Sequence, residues 1–398
     1  MKTKRTFLRL TNAHTPTCGL CALAETPSLS SRIGPNPGGG LGRVSRAVWA
    51  CLKEFQPGSA VVIGLSGGAD SLALTLCALD CASRLGLDIV TVTVDHGVRA
   101  ESADEARAVG DLARSYGADS HVMRVALADK GGPEGAGREA RREVLTRVAR
   151  SYDAPILLGH TLDDQAETVL LRLGRGSGAH SLRAMRQDAT DREGIRWIRP
   201  LLHLRRADTI ATCQALAVGF VDDPTNYPDG PWKTADGSPL RRSALRHRAI
   251  PLLGEALGSD PALALARTAT LVARDDDALN QWADREWARV KVTLERPVSL
   301  SPIDEATHTY PATDTQTVAL SVEPLKSLPQ AVRTRIIRRF LIECGADESK
   351  LSMTHIDRVD NLVVNWHGQK EIEVPSLAIF RLKDKENGAS LVPFLRTR

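Results

Sequence analysis

The sequence has few aromatic residues, no long apolar run and little net charge. Phe, Trp and Tyr make up 4% of the 398 residues, which argues against an RNA-binding surface built from several stacked aromatic rings. No run of about 18 apolar residues occurs, which excludes a membrane-spanning helix. The 52 basic and 48 acidic side chains leave a charge of only +4. A nucleic-acid site therefore has to be sought in the local distribution of charge.

Cysteine is also scarce, and its spacing does not indicate a disulfide framework. Seven cysteines, an odd number in a chain of this length, are typical of a reducing compartment, and we expect a cytoplasmic location. Cys18 and Cys21 form a CxxC motif, but the second ligand pair that a structural zinc site requires is not nearby. A metal or redox role for this pair therefore competes with chance occurrence.

Composition divides the chain into three parts. Residues 1–42 are rich in Pro, Ser, Thr and Gly, lack apolar periodicity and are predicted to form a disordered leader. The leader is basic and resembles an organellar transit peptide, although a start codon assigned too far upstream explains it equally well. Residues 43–257 are predicted to form one domain, and residues 258–398 a smaller second domain.

Strands and helices alternate along the first of these two domains. The apolar runs Ala60–Leu65, Ile156–Gly159 and Trp197–Leu202 predict buried strands, whereas Ser71–Leu85 and Asp164–Leu173 have the apolar spacing of helices. This alternation predicts a doubly wound α/β fold with a mostly parallel sheet and helices on both faces.

The C-terminal part has a different pattern and is predicted to be helical or α+β. Residues 261–295 are expected to be purely helical, with Trp282 and Trp287 in packing positions. A strand is predicted at residues 311–322 and a helix at residues 329–343.

The motif Ser66-Gly67-Gly68-Ala69-Asp70-Ser71 lies where an apolar strand passes into a helix. Glycines let the backbone approach an anion, and the N–H groups at a helix N-terminus hold a phosphate there. Ser66 and Ser71 are expected to add hydroxyl donors, and Asp70 to cap the helix or ligate magnesium. The loop is neither a Walker A loop nor a GxGxxG fingerprint. It predicts ATP binding, and an ordinary glycine-rich turn is the alternative.

A second motif, Gly159-His160-Thr161-Leu162-Asp163-Asp164-Gln165-Ala166-Glu167-Thr168, also follows a strand. Because the carboxyl ends of strands border the ligand crevice of an open α/β sheet, both motifs are expected to face one site. Asp164 and His160 are predicted at the reacting centre, and Asp163 as a magnesium ligand. The alternative is that Asp163 and Asp164 only cap the helix. Gln165 and Glu167 are expected to have structural roles.

Together these motifs resemble one family of PP-loop enzymes, the tRNA(Ile)-lysidine synthetases. Further matching segments occur in order between residues 60 and 255, and one occurs in the C-terminal tail. The segments are Val94–Arg99, Gly137–Arg142, Arg175–Gly178, Arg199–Leu202, Asp223–Asn226, Leu245–Arg246, Ile250–Leu253 and Asn365–Gln369. The chain departs from the family pattern at Arg242-Ser243 and at Thr161.

The resemblance implies a ligase that forms a carbon–nitrogen bond, with residues 43–257 as its PP-loop catalytic domain and residues 258–398 as a domain that binds tRNA. ATP adenylates the wobble cytidine of an isoleucine tRNA with a CAU anticodon, and the ε-amine of free lysine then attacks to give lysidine, AMP and pyrophosphate. Magnesium is the implied metal, and a homodimer stays open. The resemblance makes Asp164, His160 and Asp70 candidates for catalysis. Candidates for contact with lysine or tRNA are Arg138, Glu139, Arg175, Arg206, Arg242 and Arg246.

Local charge agrees with an RNA partner. Residues 172–206 contain nine arginines and three acidic residues, and such clusters typically contact phosphates. A solvated helix face is the plainer interpretation of either basic cluster. Two other functions remain as hypotheses: a sulfur-transferring enzyme of the 2-thiocytidine synthetase type, and a non-catalytic module that binds ATP or tRNA.

Overall fold

The computed structural model describes most of the chain. The described residues are 28–97, 102–125, 133–176, 178–230, 232–234, 236–295, 308–309, 316–369, 371–384 and 388–396. The CxxC motif at Cys18 and Cys21 lies outside them. The chain divides into two compact units between Val272 and Ala273, which is later than the predicted boundary after residue 257. None of the described helices is both long and apolar enough to cross a membrane.

The first unit contains a six-stranded sheet with the order β3-β2-β1-β4-β6-β5. Its strands are β1 Ala60–Gly64, β2 Asp88–Asp95, β3 Asp119–Arg124, β4 Ile156–Leu158, β5 Asp188–Thr190 and β6 Arg196–Ile198. All neighbours pair in parallel except β5 and β6, which form an antiparallel edge. The mostly parallel sheet is confirmed. The strand predicted at Trp197–Leu202 is shorter, and β5 was not predicted.

Helices connect the strands on both faces of this sheet. They are α1 Leu29–Ile33, α2 Gly39–Leu52, α3 Ala69–Leu85, α4 Ser102–Ser115, α5 Pro133–Ser151, α6 Leu162–Leu173, α7 Ala179–Leu182, α8 Arg206–Ala215, α9 Arg241–Ala244 and α10 Ile250–Leu257. A π-helical turn, Leu245–Ala249, joins the last two. Helix α11, Pro261–Val290, contains the point at which the two units divide.

The side chains of β1 point alternately into two hydrophobic cores, one on each face of the sheet. Val61 and Ile63 pack into a cluster with apolar residues of α2, α3, α4 and α8, whereas Val62 packs with Val144 and Leu145 of α5 on the opposite face. Successive side chains of a strand point to opposite faces, so one short strand supports helices on both sides. The predicted doubly wound arrangement is confirmed.

The predicted disordered leader is wrong for its last part. Within residues 28–42, α1 and the start of α2 are helical, and Ile33 and Leu41 are buried in the first core. Leu41, Val44 and Val48 lie on one face of α2. This burial outweighs the low helix propensity of the neighbouring glycines.

The second unit is an antiparallel sheet covered by helices. Its strands are β7 Lys291–Glu295, β8 His308–Thr309, β9 Gln316–Ser321, β10 Glu371–Val374, β11 Leu377–Asp384 and β12 Gly388–Arg396. Its shorter helices are α12 Val322–Lys326, α13 Gln330–Glu343 and α14 Met353–Val364. The sheet order is β10-β11-β12-β9-β7, and β8 pairs with β12.

Two expectations for this unit need correction. The helix expected to reach residue 295 ends at Val290, and strand β7 follows it directly. Trp287 is buried as predicted, but the side chain of Trp282 is 38% exposed.

Candidate active site

The loop at residues 66–71 connects β1 to α3 and is held by hydrogen bonds between its own residues. The backbone N–H of Ser66 donates to Ser71 Oγ over 3.1 Å, and that hydroxyl donates to the carbonyl of Gly68, also over 3.1 Å. Gly67 has φ +83°, and a Cβ there would lie 2.7 Å from Val109 Cγ2. Only glycine suits this position. The loop therefore opens α3 with its first N–H groups available to an anion.

The second motif packs directly on this loop. A Cβ on Gly159 would lie 2.8 Å from the carbonyl carbon and oxygen of Asp70 and 2.9 Å from the nitrogen of Ser71. The contact arises because β1 and β4 are neighbours, with Gly64 opposite Leu158. From β1 the chain crosses to β2 on one side, and β4 lies on the other side. The two loops thus meet at the topological switch point, where α/β sheets bind their ligands.

Arg206 joins the two carboxylates that were predicted to be catalytic. Its Nε donates to Asp70 Oδ2 over 3.0 Å, and its Nη2 donates to Asp164 Oδ1 over 2.6 Å. The hydroxyl of Thr209, one turn further along α8, donates to Asp70 Oδ1. Arg206 was predicted to contact substrate. Its pairing with Asp70 across 136 residues of sequence could not be seen from spacing.

The carboxylates differ in their electrostatic surroundings. Burial raises the pKa of Asp70, although the charge of Arg206 opposes this shift. Burial also acts on Asp164, but Arg206, His160, the Thr161 N–H and Arg246 together outweigh it and lower the pKa of Asp164. Burial lowers the pKa of Arg206, but the negative charges of Asp164, Asp70 and Glu167 outweigh this effect and raise it. Asp164 is therefore ionised near neutral pH and firmly paired.

Asp163 and Asp164 are adjacent in sequence but have different partners. Asp164 Oδ2 accepts the Thr161 N–H over 2.8 Å and the Thr161 hydroxyl over 3.0 Å, which caps α6. Asp163 accepts the backbone N–H of Arg206 over 2.7 Å and pairs with Arg205 over 2.8 Å. Asp164 therefore caps α6 and in addition binds Arg206, so it does more than the capping alternative allows.

The predicted magnesium ligands Asp70 and Asp163 are both engaged by other groups. Within the described ranges, no group of three or more His, Cys, Asp or Glu side chains could hold a metal ion. Mg²⁺ commonly takes one or two protein carboxylates and completes its shell with phosphates and water. Asp70 fits such a ligand because it belongs to the phosphate-binding loop. Magnesium ligation by these residues stays a prediction.

His160 lies beside this cluster and carries an unsatisfied ring nitrogen. Its Nδ1 is buried without a hydrogen-bond partner among the described residues. Burial lowers the pKa of His160 to about 4, the charges of Arg199, Arg138 and Arg242 act in the same direction, and Asp164 opposes them. The imidazole is therefore neutral at pH 7, and the hydrogen-bonding capacity of its Nδ1 is not used by the described residues.

Glu167 is the centre of a second buried ion cluster. Arg246 Nε donates to its Oε1 over 2.7 Å, and Arg242 Nη1 lies 3.4 Å from its Oε2. Burial raises the pKa of Glu167, and the charge of Arg246 opposes this shift. Two arginines predicted to contact substrate thus bind a glutamate that was expected to be structural. The pairing holds the Arg241–Ala244 helix and the π-helical turn against α6.

The remaining candidates lie at more exposed positions. Arg138 and Glu139 are exposed on α5, and Arg175 is exposed just after α6. The charges of Arg138 and Arg175 lower the pKa of the half-buried Arg172, to which burial contributes most. Several like charges therefore gather around this end of α6, as expected for a surface that binds a polyanion.

The structure also shows interactions that the motifs did not predict. Thr209 binds Asp70, and Thr161 binds Asp164. The signal for Thr209 was its position three residues after Arg206 on one helix face. Gln165 forms two hydrogen bonds with the backbone of Met185, of 2.9 and 3.0 Å, which confirms its structural role.

Comparison with known proteins agrees with this geometry. A family model described as a PP-loop domain matches residues 43–253, and one described as the TilS substrate binding domain matches residues 320–384. The chain is 39% identical to the tRNA(Ile)-lysidine synthase of Thermobifida fusca (strain YX), over 83% of this chain and 92% of that protein.

Other relatives match over similar lengths. Identity is 39% to the tRNA(Ile)-lysidine synthase of Streptomyces coelicolor, over 81% of this chain and 82% of that protein. Identity to the tRNA(Ile)-lysidine synthase of Rhodococcus erythropolis is 38%, over 88% of this chain and 91% of that protein. With the phosphate loop and its carboxylates in place at the switch point, the chain belongs to the tRNA(Ile)-lysidine synthase family of PP-loop ligases.

Proposed function

We propose that this protein joins lysine to the wobble cytidine of an isoleucine tRNA with a CAU anticodon. ATP first adenylates the C2 oxygen of the base and releases pyrophosphate. The lysine ε-amine then attacks C2 and releases AMP, which leaves lysidine. The observation that carries the proposal is the direct contact of the phosphate loop with the Asp164 loop, bridged by Arg206. We place the reaction in the cytoplasm.

The loop at residues 66–71 holds the phosphates of ATP in this proposal. The N–H groups that open α3 and the hydroxyl of Ser66 are donors for phosphate oxygens. Arg206 lies beside the same loop, and its guanidinium stabilises negative charge that develops at the α-phosphate. A magnesium ion bound with ATP would offset phosphate charge, and Asp70 is the residue that would ligate it.

Asp164 and its neighbours bind and orient the ε-amine of lysine in this proposal. An amine with a pKa near 10 is protonated at pH 7 and must lose a proton before it can attack. Asp164 is ionised and lies within the same crevice, so it accepts that proton or orients the ammonium group. His160 is neutral, and its free Nδ1 offers a hydrogen-bonding site beside the carboxylate. Because its lowered pKa makes Asp164 a weak base, we assign to its negative charge the orientation of the ammonium group.

The cysteines that the structure describes in the first unit give no support to the sulfur-transfer alternative. Cys77, Cys81 and Cys213 are buried in the first hydrophobic core. Burial raises the pKa of Cys81 and of Cys213 to about 12. Thiols in such surroundings pack as small apolar groups and are poor nucleophiles.

The deciding experiment is incorporation of labelled lysine into a transcript of the isoleucine tRNA with a CAU anticodon. Label that enters the RNA only with ATP and magnesium supports the proposal. If AMP is released on other tRNAs without label, the chemistry is a different RNA modification. If no tRNA stimulates ATP cleavage, the non-catalytic module is the better description.

A matched pair of variants tests the role of Asp164. We expect Asp164→Asn to lower the rate of lysine incorporation at least about 100-fold, because the neutral amide no longer attracts and orients the ammonium group. ATP binding, measured by equilibrium dialysis, should change little. Asp163→Asn removes a carboxylate from the neighbouring residue and should lower the rate far less. Equal losses in the two variants would contradict the assignment.

A further inference from the structure

Arg43 lies in helix α2, ahead of the first strand of the sheet, and no step of the proposed reaction uses it. Its Nε and Nη2 donate to Asp208 Oδ1 over 2.9 and 2.5 Å. The side chain of Arg43 is 52% exposed, whereas Asp208 is buried. Two hydrogen bonds from one guanidinium thus connect α2 to α8, across 165 residues of sequence.

The backbones of α2 and α8 also approach each other beside this ion pair. A Cβ on Gly40 would lie 2.7 Å from the Asp208 carbonyl oxygen and 2.9 Å from Ala211 Cβ. Apolar residues of both helices belong to the same hydrophobic core. Since the glycine permits this close approach, packing of the two helices fixes Arg43 opposite the Asp208 carboxylate.

Asp208 uses its second carboxylate oxygen to hold the start of α8. Its Oδ2 accepts the backbone N–H of Arg205 over 3.0 Å, which satisfies a donor at the helix N-terminus. The first residue of this helix is Arg206. One carboxylate therefore contacts both Arg43 and the turn that carries Arg206.

Asp163 supports the same turn from α6. It accepts the backbone N–H of Arg206 over 2.7 Å. The first turn of α8 is therefore held by a carboxylate on each side, and of these the Asp208 carboxylate is the one paired with Arg43. Loss of Arg43 should loosen this turn without releasing it.

Without Arg43, the negative charge of Asp208 would be buried and uncompensated, which is strongly unfavourable. The carboxylate could reach water only by turning away, and it would then release the Arg205 N–H. Arg206 lies in the turn that this change loosens, and its two hydrogen bonds to the site carboxylates are 3.0 and 2.6 Å long. Because hydrogen bonds weaken steeply when they are misaligned, the direction of the Arg206 guanidinium depends on Arg43.

We propose that Arg43 is a positioning residue for the ligase reaction, which acts through Asp208 to direct Arg206 at the phosphate loop. The inference rests on the proposed function, in which Arg206 stabilises negative charge at the α-phosphate. A group that acts in the transition state loses rate when it is misplaced, and substrate affinity changes little. Arg43 should therefore affect kcat and leave KM nearly unchanged.

Steady-state kinetics of lysine incorporation test this split. We expect Arg43→Gln to lower kcat about 10-fold and to keep the KM for ATP and for lysine within about twofold of the wild type. Arg43→Lys keeps a positive charge beside Asp208 and should lose less. The matched control is Arg46→Gln, which changes another exposed arginine of α2 and should keep the kcat of the wild type. Thermal unfolding of each variant establishes that the fold is retained.

A double-mutant cycle tests whether the effect passes through Arg206. A lysine at this position cannot contact both carboxylates in a fixed fork, so Arg206→Lys removes the group that Arg43 is proposed to direct. In that background Arg43→Gln should lower kcat no further. Additive losses, an unchanged kcat in Arg43→Gln or an equal loss in Arg46→Gln would each overturn the proposal.

Nuclear magnetic resonance gives a signal that does not depend on the reaction. In protein labelled with ¹⁵N-arginine, the Nε–H resonance of Arg206 is identified by its absence from Arg206→Lys. It should shift in Arg43→Gln and stay in place in Arg46→Gln, and a resonance that stays in place in both would overturn the proposal. If it shifts only in Arg43→Gln but the wild type incorporates no lysine, Arg43 still directs Arg206 and only the proposed reaction is wrong.

Discussion

Among single residues, Arg206 does the most to organise the site, because one guanidinium contacts both Asp70 and Asp164. Lysine would carry the same charge but could not reach both carboxylates in a fixed fork. The motifs predicted the residues of this group. They did not predict the pairing, because contacts across more than a hundred residues depend on the fold and not on spacing. Glu167 shows the same limit, since its partners Arg242 and Arg246 come from a distant segment.

The lowered pKa of His160 predicts that the unfolding free energy decreases as the solution becomes acidic. The unfolded chain has the ordinary histidine pKa of 6.5, and the folded pKa is about 4. Between these values the unfolded state binds more protons, so stability falls as pH decreases through this window. In His160→Gln, the loss of unfolding free energy between pH 7 and pH 5 should be smaller by about 2 kcal/mol.

Urea denaturation of both proteins at the two pH values checks this. Other groups that titrate in the window act equally on wild type and variant, so the difference isolates His160. Parallel losses would mean that the imidazole is not held neutral by the fold.

Among the elements, the contact between the turns after β1 and β4 decides the shape of the crevice. The two strands were predicted because each is a short apolar run ending at glycine. The close approach at Gly159 was not predictable, since a glycine in a strand–helix turn suits many geometries. Strand β7 was missed because no glycine or proline separates it from the preceding helix. Helix α2 was missed because glycines at its start conceal its apolar face.

Gly159→Ala should separate the two turns. The added methyl group would lie 2.8 Å from the Asp70 carbonyl, so the backbone of one turn has to shift. We expect a loss of about 1–3 kcal/mol in unfolding free energy and a clear loss of ATP affinity. Gly178→Ala is the control, because a Cβ there would meet nothing within 4 Å. Chemical denaturation and ATP dialysis measure both effects, and unchanged ATP binding in Gly159→Ala would contradict the role of the contact.

A buried ion pair supports the second unit. Arg333 binds Asp360 through Nε and through Nη2, the latter over 2.9 Å, and donates to the Leu328 carbonyl over 2.7 Å. Removing one partner leaves the other charge buried and uncompensated. Asp360→Asn should therefore cost about 3–5 kcal/mol of unfolding free energy. Asp357→Asn, a change at a partly exposed position of the same helix, should cost less than about 0.5 kcal/mol. Denaturant unfolding followed by circular dichroism compares them, and similar midpoints would count against the pair.

At the scale of the whole molecule, the small net charge conceals a local excess of arginine. The net charge of +4 is small, but arginines gather around His160 and the end of α6. The sequence predicted this basic cluster by counting. It could not predict which arginines are bound to carboxylates and which are exposed, because that depends on folded neighbours.

Exposed arginines of this cluster should contribute to the salt dependence of tRNA binding. Each phosphate contact adds about one to the slope of log K against log salt. We expect Arg175→Gln to reduce the slope by about one. Arg107→Gln, on α4 and paired with Asp104, should leave it unchanged. Filter binding across a range of KCl concentrations measures both slopes. A slope that is the same in Arg175→Gln and wild type would remove Arg175 from the RNA surface.

The glycine contact between the two turns also limits how this domain can be engineered. Because no methyl group fits between Gly159 and the backbone of Asp70 and Ser71, neither turn can be exchanged for that of another enzyme without its counterpart. If the 66–71 loop alone were replaced by that of another enzyme, its backbone would be fitted to that enzyme's own second turn and not to Gly159. The two turns are therefore one transplantable module, and chimaeras of related ligases should be cut so that both come from the same parent.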